Sequence, residues 1–269
     1  MRPSLDTDFF STKAPRAFGH RGSAGTHPEN TLISFRAGYA AGARHMEFDV
    51  HMTRDGEIVV AHDESLERAC GRAGLIKEMA WDEIIRADAG YTFGEDRGFP
   101  FRGKGVRIPR LADVLKEFPD VRFIIEVKQT APTLVAAMLS IIDRYAMRRM
   151  VLVASEHQQP LDEIRKLAPG IPTNFAYHEV AGFMQAMAAR DANYRPPGDA
   201  LQIPPTYGDW RLVTPKLVAW AHECGLVVDV WTVNDESEMT SLLDIGVDGI
   251  LSDYPERLIR LIERRARQR

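Results

Sequence analysis

The stretch Phe123-Ile124-Ile125-Glu126-Val127-Lys128 decides how the chain is to be read. Phe, Ile, Ile and Val leave no polar face, so the run reads as a strand buried on both sides, as strands of a helix-covered parallel sheet are. Seven further short runs rich in Val, Ile and Phe join it, over 17–20, 45–50, 150–154, 173–177, 200–203, 227–233 and 249–252. Helical patterns separate them, over 31–41, 111–117, 133–145, 160–167, 180–189, 215–224, 237–243 and 255–267. Asn30 ahead of Thr31 and Pro215 at a first helical position supply start signals. Eight strands and eight helices within 269 residues match an α/β fold of the (β/α)8 TIM barrel kind. An open doubly wound sheet is the rival, and eight repeats of this length favour closure.

One apolar run falls outside the repeat. Residues 58–61 follow the second strand after Thr53-Arg54-Asp55-Gly56, and Asp-Gly between two strand-like runs reads as a hairpin turn. That run is expected to be an antiparallel extension of strand two. A long excursion over about 63–109 follows, with a short helix near 81–87 and a glycine-rich stretch. Loops of that length in compact domains are usually functional or disordered. With no linker, low-complexity tract or internal repeat, residues 1–269 read as one domain carrying this insertion.

Composition narrows the function. Thirty-four basic and thirty-eight acidic side chains give a net charge of −4, with no clustered positive footprint for nucleic acid. The hydrophobic share of 45% is ordinary for a globular chain and excludes disorder. No apolar run reaches the roughly 18 residues of a membrane span, and the first twenty residues lack a signal-peptide core. Two cysteines, Cys70 and Cys224, make neither a disulfide scaffold nor a zinc-type pair. A soluble cytoplasmic protein, without stable membrane insertion, is the expectation; the sequence leaves the oligomeric state open.

In such barrels the reacting groups lie at the C-terminal ends of strands. Strand one ends in Gly19-His20-Arg21-Gly22, strand two carries Glu47-Phe48-Asp49, and strand three carries Glu126-Val127-Lys128. Side chains two apart in a strand point the same way, so Glu47 and Asp49 share a face, as do Glu126 and Lys128. If those faces look into the barrel mouth, three carboxylates converge, and they cannot all be charged without a cation among them. All-oxygen ligation suits Mg²⁺ or Ca²⁺. Glu126 strengthens the case, because it interrupts an otherwise buried run and a buried carboxylate needs a partner or a metal. Arg21 has the planar fork that grips phosphate, and His20 with His62 could exchange protons in phosphodiester cleavage. His45 and His51 share the parity of Glu47 and Asp49, so a His51–Asp49–Glu47 set for a transition metal stays open. His27, His157, His178 and His222 read as structural hydrogen-bonders.

These residues carry a family resemblance. Phe18-Gly19-His20-Arg21-Gly22, Pro28-Glu29-Asn30-Thr31, Glu47-Phe48-Asp49-Val50, Thr53-Arg54-Asp55-Gly56 and His62-Asp63 occur in an order that resembles the glycerophosphodiester phosphodiesterase family. It continues through Asp88-Ala89-Gly90, Ile108-Pro109, Glu126-Val127-Lys128, Trp231-Thr232-Val233-Asn234 and Ser252-Asp253-Tyr254-Pro255, across nearly the whole chain. Arg110 and Ser252 stand where threonine is commoner. The resemblance implies a TIM barrel that hydrolyses small-molecule glycerophosphodiesters to sn-glycerol 3-phosphate and an alcohol. It implies one divalent cation, Mg²⁺ or Ca²⁺ with Mn²⁺ as a further option, on Glu47, Asp49 and Glu126. The histidine pair falls on His20 and His62, and the phosphate-contacting cations on Arg21 and Lys128.

Some features compete with that reading. Gly98–Gly105 nearly spells a phosphate-binding P-loop but lacks the Ser/Thr, the preceding strand and the following helix. The arginines near the C-terminus read as the solvent face of the last helix rather than a membrane surface. Trp231, at a strand end, is expected either to wall a glycerol pocket or to pack the barrel top. A lysophospholipase D or sphingomyelinase D relative acting on lysolipids would want an apolar rim, for which Tyr91, Phe93, Phe99 and Phe101 of the insertion are available. A non-catalytic ligand-binding barrel would need no proton-transfer pair.

Overall fold

The structure, a computed structural model, describes residues 7–268. Its main sheet is a curled parallel array in the order β5 (Val151–Ala154), β4 (Arg122–Val127), β2 (His45–Met52), β1 (Arg16–Gly19), β10 (Gly249–Ser252), β9 (Val227–Val230) and β6 (Ala200–Ile203). Helices α1 (Leu32–Ala40), α4 (Leu111–Glu117), α5 (Val135–Arg144), α6 (Gln158–Leu167), α7 (Tyr177–Ala189), α8 (Pro215–Glu223), α9 (Glu236–Asp244) and α10 (Pro255–Arg267) alternate with the strands. The expected TIM barrel arrangement is present, with seven of its eight strands in this array.

The eighth strand expected over 173–177 does not form as a ladder. Thr173 makes one parallel bridge to Val153. On that side Val153 N–H donates to the Pro172 carbonyl at 3.0 Å; on the other, the Thr173 carbonyl accepts from Asp199 N–H at 2.7 Å and Ala200 N–H at 3.2 Å. A link one residue wide therefore closes the ring between β5 and β6. The cause is local: Pro172 offers no N–H, and polar side chains take the neighbouring backbone groups. Asp199 Oδ2 accepts from Thr173 N–H at 2.9 Å, and Asn174 Oδ1 from Ser155 N–H at 3.0 Å. Tyr177, read as the end of a strand, starts α7, where Glu179 accepts from Ala176 N–H at 2.9 Å.

Strand parity sorts the side chains. Phe48, Phe123, Ile125, Val151 and Val153 face outward and are buried against the helices. Phe18, Ile124, Leu152, Ala200 and Leu251, from five strands around the ring, meet in one cluster, which places them inside the barrel. Phe9, fully buried, joins that cluster from the segment ahead of β1 and plugs the N-terminal face. Below it Arg16 pairs with Asp229 at 3.2 Å, and His45 meets Thr12 at 3.0 Å. Replacing Phe9 with alanine is expected to cost about 3–5 kcal/mol, the usual loss for a buried ring. Urea denaturation measures it, and a change below about 1 kcal/mol would show that the plug contributes little.

The hairpin read from Asp55-Gly56 is present. Strand β3 (Ile58–Val60) runs antiparallel to β2, with Val50 opposite Val60 and Met52 opposite Ile58. Only Gly56 of the turn takes a positive φ, +89°. Between β3 and α4 the insertion carries two short helices, α2 (Glu67–Cys70) and α3 (Trp81–Ile84), over an apolar cluster that includes Leu66, Ile76, Ile84, Val106 and Ile108. The glycine-rich stretch turns at Gly98, Gly103 and Gly105 and leads into no helix, so it forms no P-loop. The start of α1 differs from expectation: Thr31, not Asn30, is its cap and accepts from Ser34 N–H at 3.3 Å. Asn30 takes a left-handed φ of 57° and sends its side chain elsewhere. Arg264 and Arg265 of α10 pair with Glu236 and Asp244 of α9. Among the described residues no helix is long and apolar enough to cross a membrane.

Candidate active site

Three carboxylates converge at the C-terminal ends of two neighbouring strands. Asp49 lies directly opposite Glu126 in the β2–β4 register, and Glu47 sits one pleat below on the same face as Asp49. One oxygen from each of Glu47, Asp49 and Glu126 lies within 4.8 Å of the others. Burial, then the charges of Asp49 and Glu126, push the Glu47 carboxyl well above its ordinary range. Burial would raise Asp49 too, but Arg21 and Lys128 outweigh it and hold that group below its usual value. Glu126 is pushed up to about 7 by burial and then by Asp49, in spite of Lys128. Two buried acceptors, Glu47 Oε1 and Asp49 Oδ1, receive no hydrogen bond. Acidic oxygens that are buried, close together and short of donors fit a hard divalent cation.

Two imidazoles flank the triad, each backed by an aspartate. His20 follows β1 in a turn that glycine makes possible: a Cβ on Gly19 would lie 2.2 Å from the Gly22 carbonyl oxygen, and Gly22 has a φ of +90° against α1. His20 Nδ1 lies 2.7 Å from Asp253 Oδ1, and Asp253 Oδ2 accepts from Asn234 Nδ2 at 2.6 Å. The opposite ring nitrogen, Nε2, sits 3.8 Å from Glu47 Oε2 and 3.5 Å from Thr232 Oγ1. His62, just beyond β3, lies with Nδ1 2.7 Å from Asp63 Oδ1. In both cases the carboxylate favours a proton on Nδ1 and leaves Nε2 to the cavity.

The cations lie between them. Arg21 N–H donates to Glu47 Oε2 at 3.1 Å, its Nη1 donates to Glu29 at 2.9 Å, and its Nε lies 3.4 Å from Asp49 Oδ2. Lys128 Nζ donates to Glu126 at 2.7 Å and sits 3.3 Å from Asp49 Oδ1. Burial would lower the Lys128 ammonium, but Glu126 and Asp49 outweigh it and raise its pKa. His20, Arg21, Glu47, His62, Glu126 and Lys128 line one cavity of about 480 Å³. Trp231 lines it as well and also packs on the barrel interior.

A sequence model of the glycerophosphoryl diester phosphodiesterase family matches residues 20–257, a span that holds all of these groups. The chain belongs to that family. It is 30% identical over 252 residues to a glycerophosphodiester phosphodiesterase of Caldanaerobacter subterraneus subsp. tengcongensis, covering 91% of this chain and 96% of the relative. A candidate glycerophosphoryl diester phosphodiesterase from Silicibacter pomeroyi superposes with a TM-score of 0.79 at 30% identity, covering 98% of this chain and 99% of the other. A phosphodiesterase from Oleispira antarctica, solved with the product sn-glycerol-3-phosphate, superposes with a TM-score of 0.76 at 25% identity, over 93% of this chain and 97% of that one.

This family member also carries residues around the site to which the sequence reading gave no part in it. Asn30 donates to Asp49 Oδ2 at 2.9 Å, which is why it is absent from the helix cap. Glu29, Asp63 and Arg68 form a chain between the two halves of the site. Arg68 Nε meets Asp63 Oδ2 at 2.5 Å, and its Nη atoms meet Glu29 at 2.6 and 2.9 Å. Glu29 holds Arg21 and Asp63 holds His62, so α2 of the insertion ties both to one guanidinium. The Asp beside His62 and the Glu beside Asn30 were visible in the sequence; their common partner, Arg68, was not. Arg68→Ala is expected to lower kcat about 10- to 100-fold through misplacement of His62 and Arg21. Arg68→Lys should recover only part of this, because an ammonium cannot fork between two carboxylates. Steady-state kinetics measure both, and an unchanged kcat in Arg68→Ala would remove this positioning role.

Most of the other histidines are engaged elsewhere, but His157 and His178, read as structural hydrogen-bonders, are exposed and their imidazoles make no hydrogen bond among the described residues. His51 Nε2 donates to the His62 carbonyl at 3.1 Å and lies outside the carboxylate group, which leaves the transition-metal set without its imidazole. His222 meets Asp248 at 2.8 Å, and His27 packs on Phe101. The aromatic rings of the insertion give no rim to the cavity. Phe93 and Phe101 pack on one another, and Tyr91 and Phe99 both stack on Arg102.

Proposed function

We propose that the protein hydrolyses glycerophosphodiesters to sn-glycerol 3-phosphate and an alcohol, using one divalent cation, Mg²⁺ or Ca²⁺, held by Glu47, Asp49 and Glu126. The observation that carries this reading is the pair of aspartate-backed imidazoles on either side of an acidic triad in one cavity. The cation, when bound, supplies Lewis-acid charge to a phosphate oxygen. Arg21 and Lys128 neutralise the remaining oxygens as negative charge builds. One of His20 and His62 takes the proton of the attacking group, either water or the glycerol 2-hydroxyl, whose cyclic phosphate water then opens; the other gives a proton to the departing alkoxide. Asp253 and Asp63 hold those rings in one tautomer and stabilise each imidazolium as it forms. Family membership and a relative solved with sn-glycerol-3-phosphate support the polarity of cleavage.

The test is a coupled assay with glycerol-3-phosphate dehydrogenase on glycerophosphocholine. Formation of glycerol 3-phosphate and choline is expected; free glycerol with phosphocholine would show that the polarity is wrong. One observation favours a second reading, a lysophospholipase D acting on lysolipids. Val180, Ala181 and Leu212 give the cavity an apolar wall. That wall ends at a hairpin of β7 (Thr206–Tyr207) and β8 (Trp210–Arg211), where Trp210 is 78% exposed. Choline release from lysophosphatidylcholine at a rate matching glycerophosphocholine would favour it.

A further inference from the structure

Glu156 lies two residues past the end of β5, on the same face of the barrel as the carboxylate triad, and it lines the cavity. Its place is fixed by its neighbours. Ser155 Oγ donates to the Val127 carbonyl at 2.7 Å, and the Glu156 carbonyl accepts from Tyr177 N–H at 3.1 Å. The side chain, in contrast, is exposed, and among the described residues its carboxylate has no ion pair and no hydrogen bond. The other two carboxylates that line the cavity are both engaged, Glu47 by the Arg21 N–H and Glu126 by Lys128. The cavity's cations, Arg21 and Lys128, are therefore committed on the triad side, and Glu156 is left facing the space with an uncompensated charge.

The walls beside Glu156 are rings. Tyr177, held next to it through the backbone, is 66% exposed, and Phe175 and Trp231 line the same space. None of these three faces is covered by an arginine among the described residues, although other rings of the chain are. A free carboxylate beside the exposed Tyr177 ring attracts a soft organic cation by charge and by cation–π contact. Neutral alcohols gain neither, and anionic ones meet repulsion from Glu156.

We propose that the β5–α7 side of the cavity is a leaving-group subsite for cationic alcohols, quaternary or primary amines, with Glu156 as its specificity-determining residue and Tyr177 as its wall. The proposal rests on the phosphodiesterase reading above and adds the chemical class of the alcohol released.

The experiment compares glycerophosphocholine with its 3,3-dimethylbutyl ester, which has the same shape and no positive charge. Glycerol 3-phosphate release gives kcat/KM for each. The wild-type ratio should favour choline about fivefold, the worth of a partly exposed ion pair. Glu156→Gln should bring the ratio close to one, Glu156→Lys should invert it, and Tyr177→Leu should lower it about threefold through loss of the ring. Melting temperatures of the variants confirm folding. A wild-type ratio near one, or a ratio that Glu156→Gln and Glu156→Lys leave unmoved, overturns the subsite. If neither ester releases glycerol 3-phosphate, the phosphodiesterase reading itself fails, so the two failures are separable.

Discussion

Alanine at His20 is expected to lower kcat about 10²- to 10⁴-fold, and alanine at His62 to do the same. Each ring is fixed at Nδ1 by an aspartate 2.7 Å away, which directs the opposite nitrogen to the cavity the two share. Neither ring is part of a hydrophobic cluster, so both variants should fold, and thermal melting confirms it. Because the two act in one proton-transfer cycle, the double variant should lose far less than the product of the single losses. Retention of more than half the wild-type rate in either single variant would reject the paired mechanism.

Thorough chelation should abolish activity, and added Mg²⁺, Ca²⁺ or Mn²⁺ should restore it. Glu47→Gln, Asp49→Asn and Glu126→Gln should each weaken cation affinity, read by calorimetry independently of turnover. Wild-type affinity in all three would reject the site; full activity of chelated enzyme would reject the cation's role. The chelated protein offers a second readout. Glu126 has a folded pKa raised from 4.5 to about 7, so the folded state holds its proton more tightly than the unfolded chain does. The stability this contributes is present below about pH 4.5 and is lost as pH rises through about 7. Chelated wild type should therefore melt lower at pH 8 than at pH 5.5, and Glu126→Gln should narrow that difference.

Much of this site was legible because strand parity is a strict rule. Spacing alone put Glu47 with Asp49 on one face and Glu126 with Lys128 on another, and the Asp49–Glu126 register shows the two faces meeting. The hairpin that delivers His62 was readable from Asp55-Gly56. What escaped was chemistry at a distance along the chain. The aspartate behind His20 lies 233 residues away, and the guanidinium that joins Asp63 to Glu29 comes from an irregular insertion without periodicity. Residues 173–177 misled for a different reason. Thr, Asn, Phe and Tyr have the look of a strand, but Pro172 and the side chains of Asn174 and Asp199 had already claimed its hydrogen-bonding groups.

That narrow closure at Thr173 gives the ring an uneven mechanical compliance. Six of its junctions are ladders of at least two paired residues; the one between β5 and β6 hangs on the few bonds around a single threonine. Breathing of the barrel should concentrate there, so amides of 172–176 should exchange with solvent sooner than those of β2 and β4. Asn174, Phe175 and Tyr177 follow directly and line the cavity. The wall facing the leaving alcohol is thus anchored to the softest stave of the barrel, while the acidic triad stands on the stiffest pair. An enzyme built this way can widen its mouth for a bulkier alcohol without disturbing the spacing of the groups that carry out the cleavage.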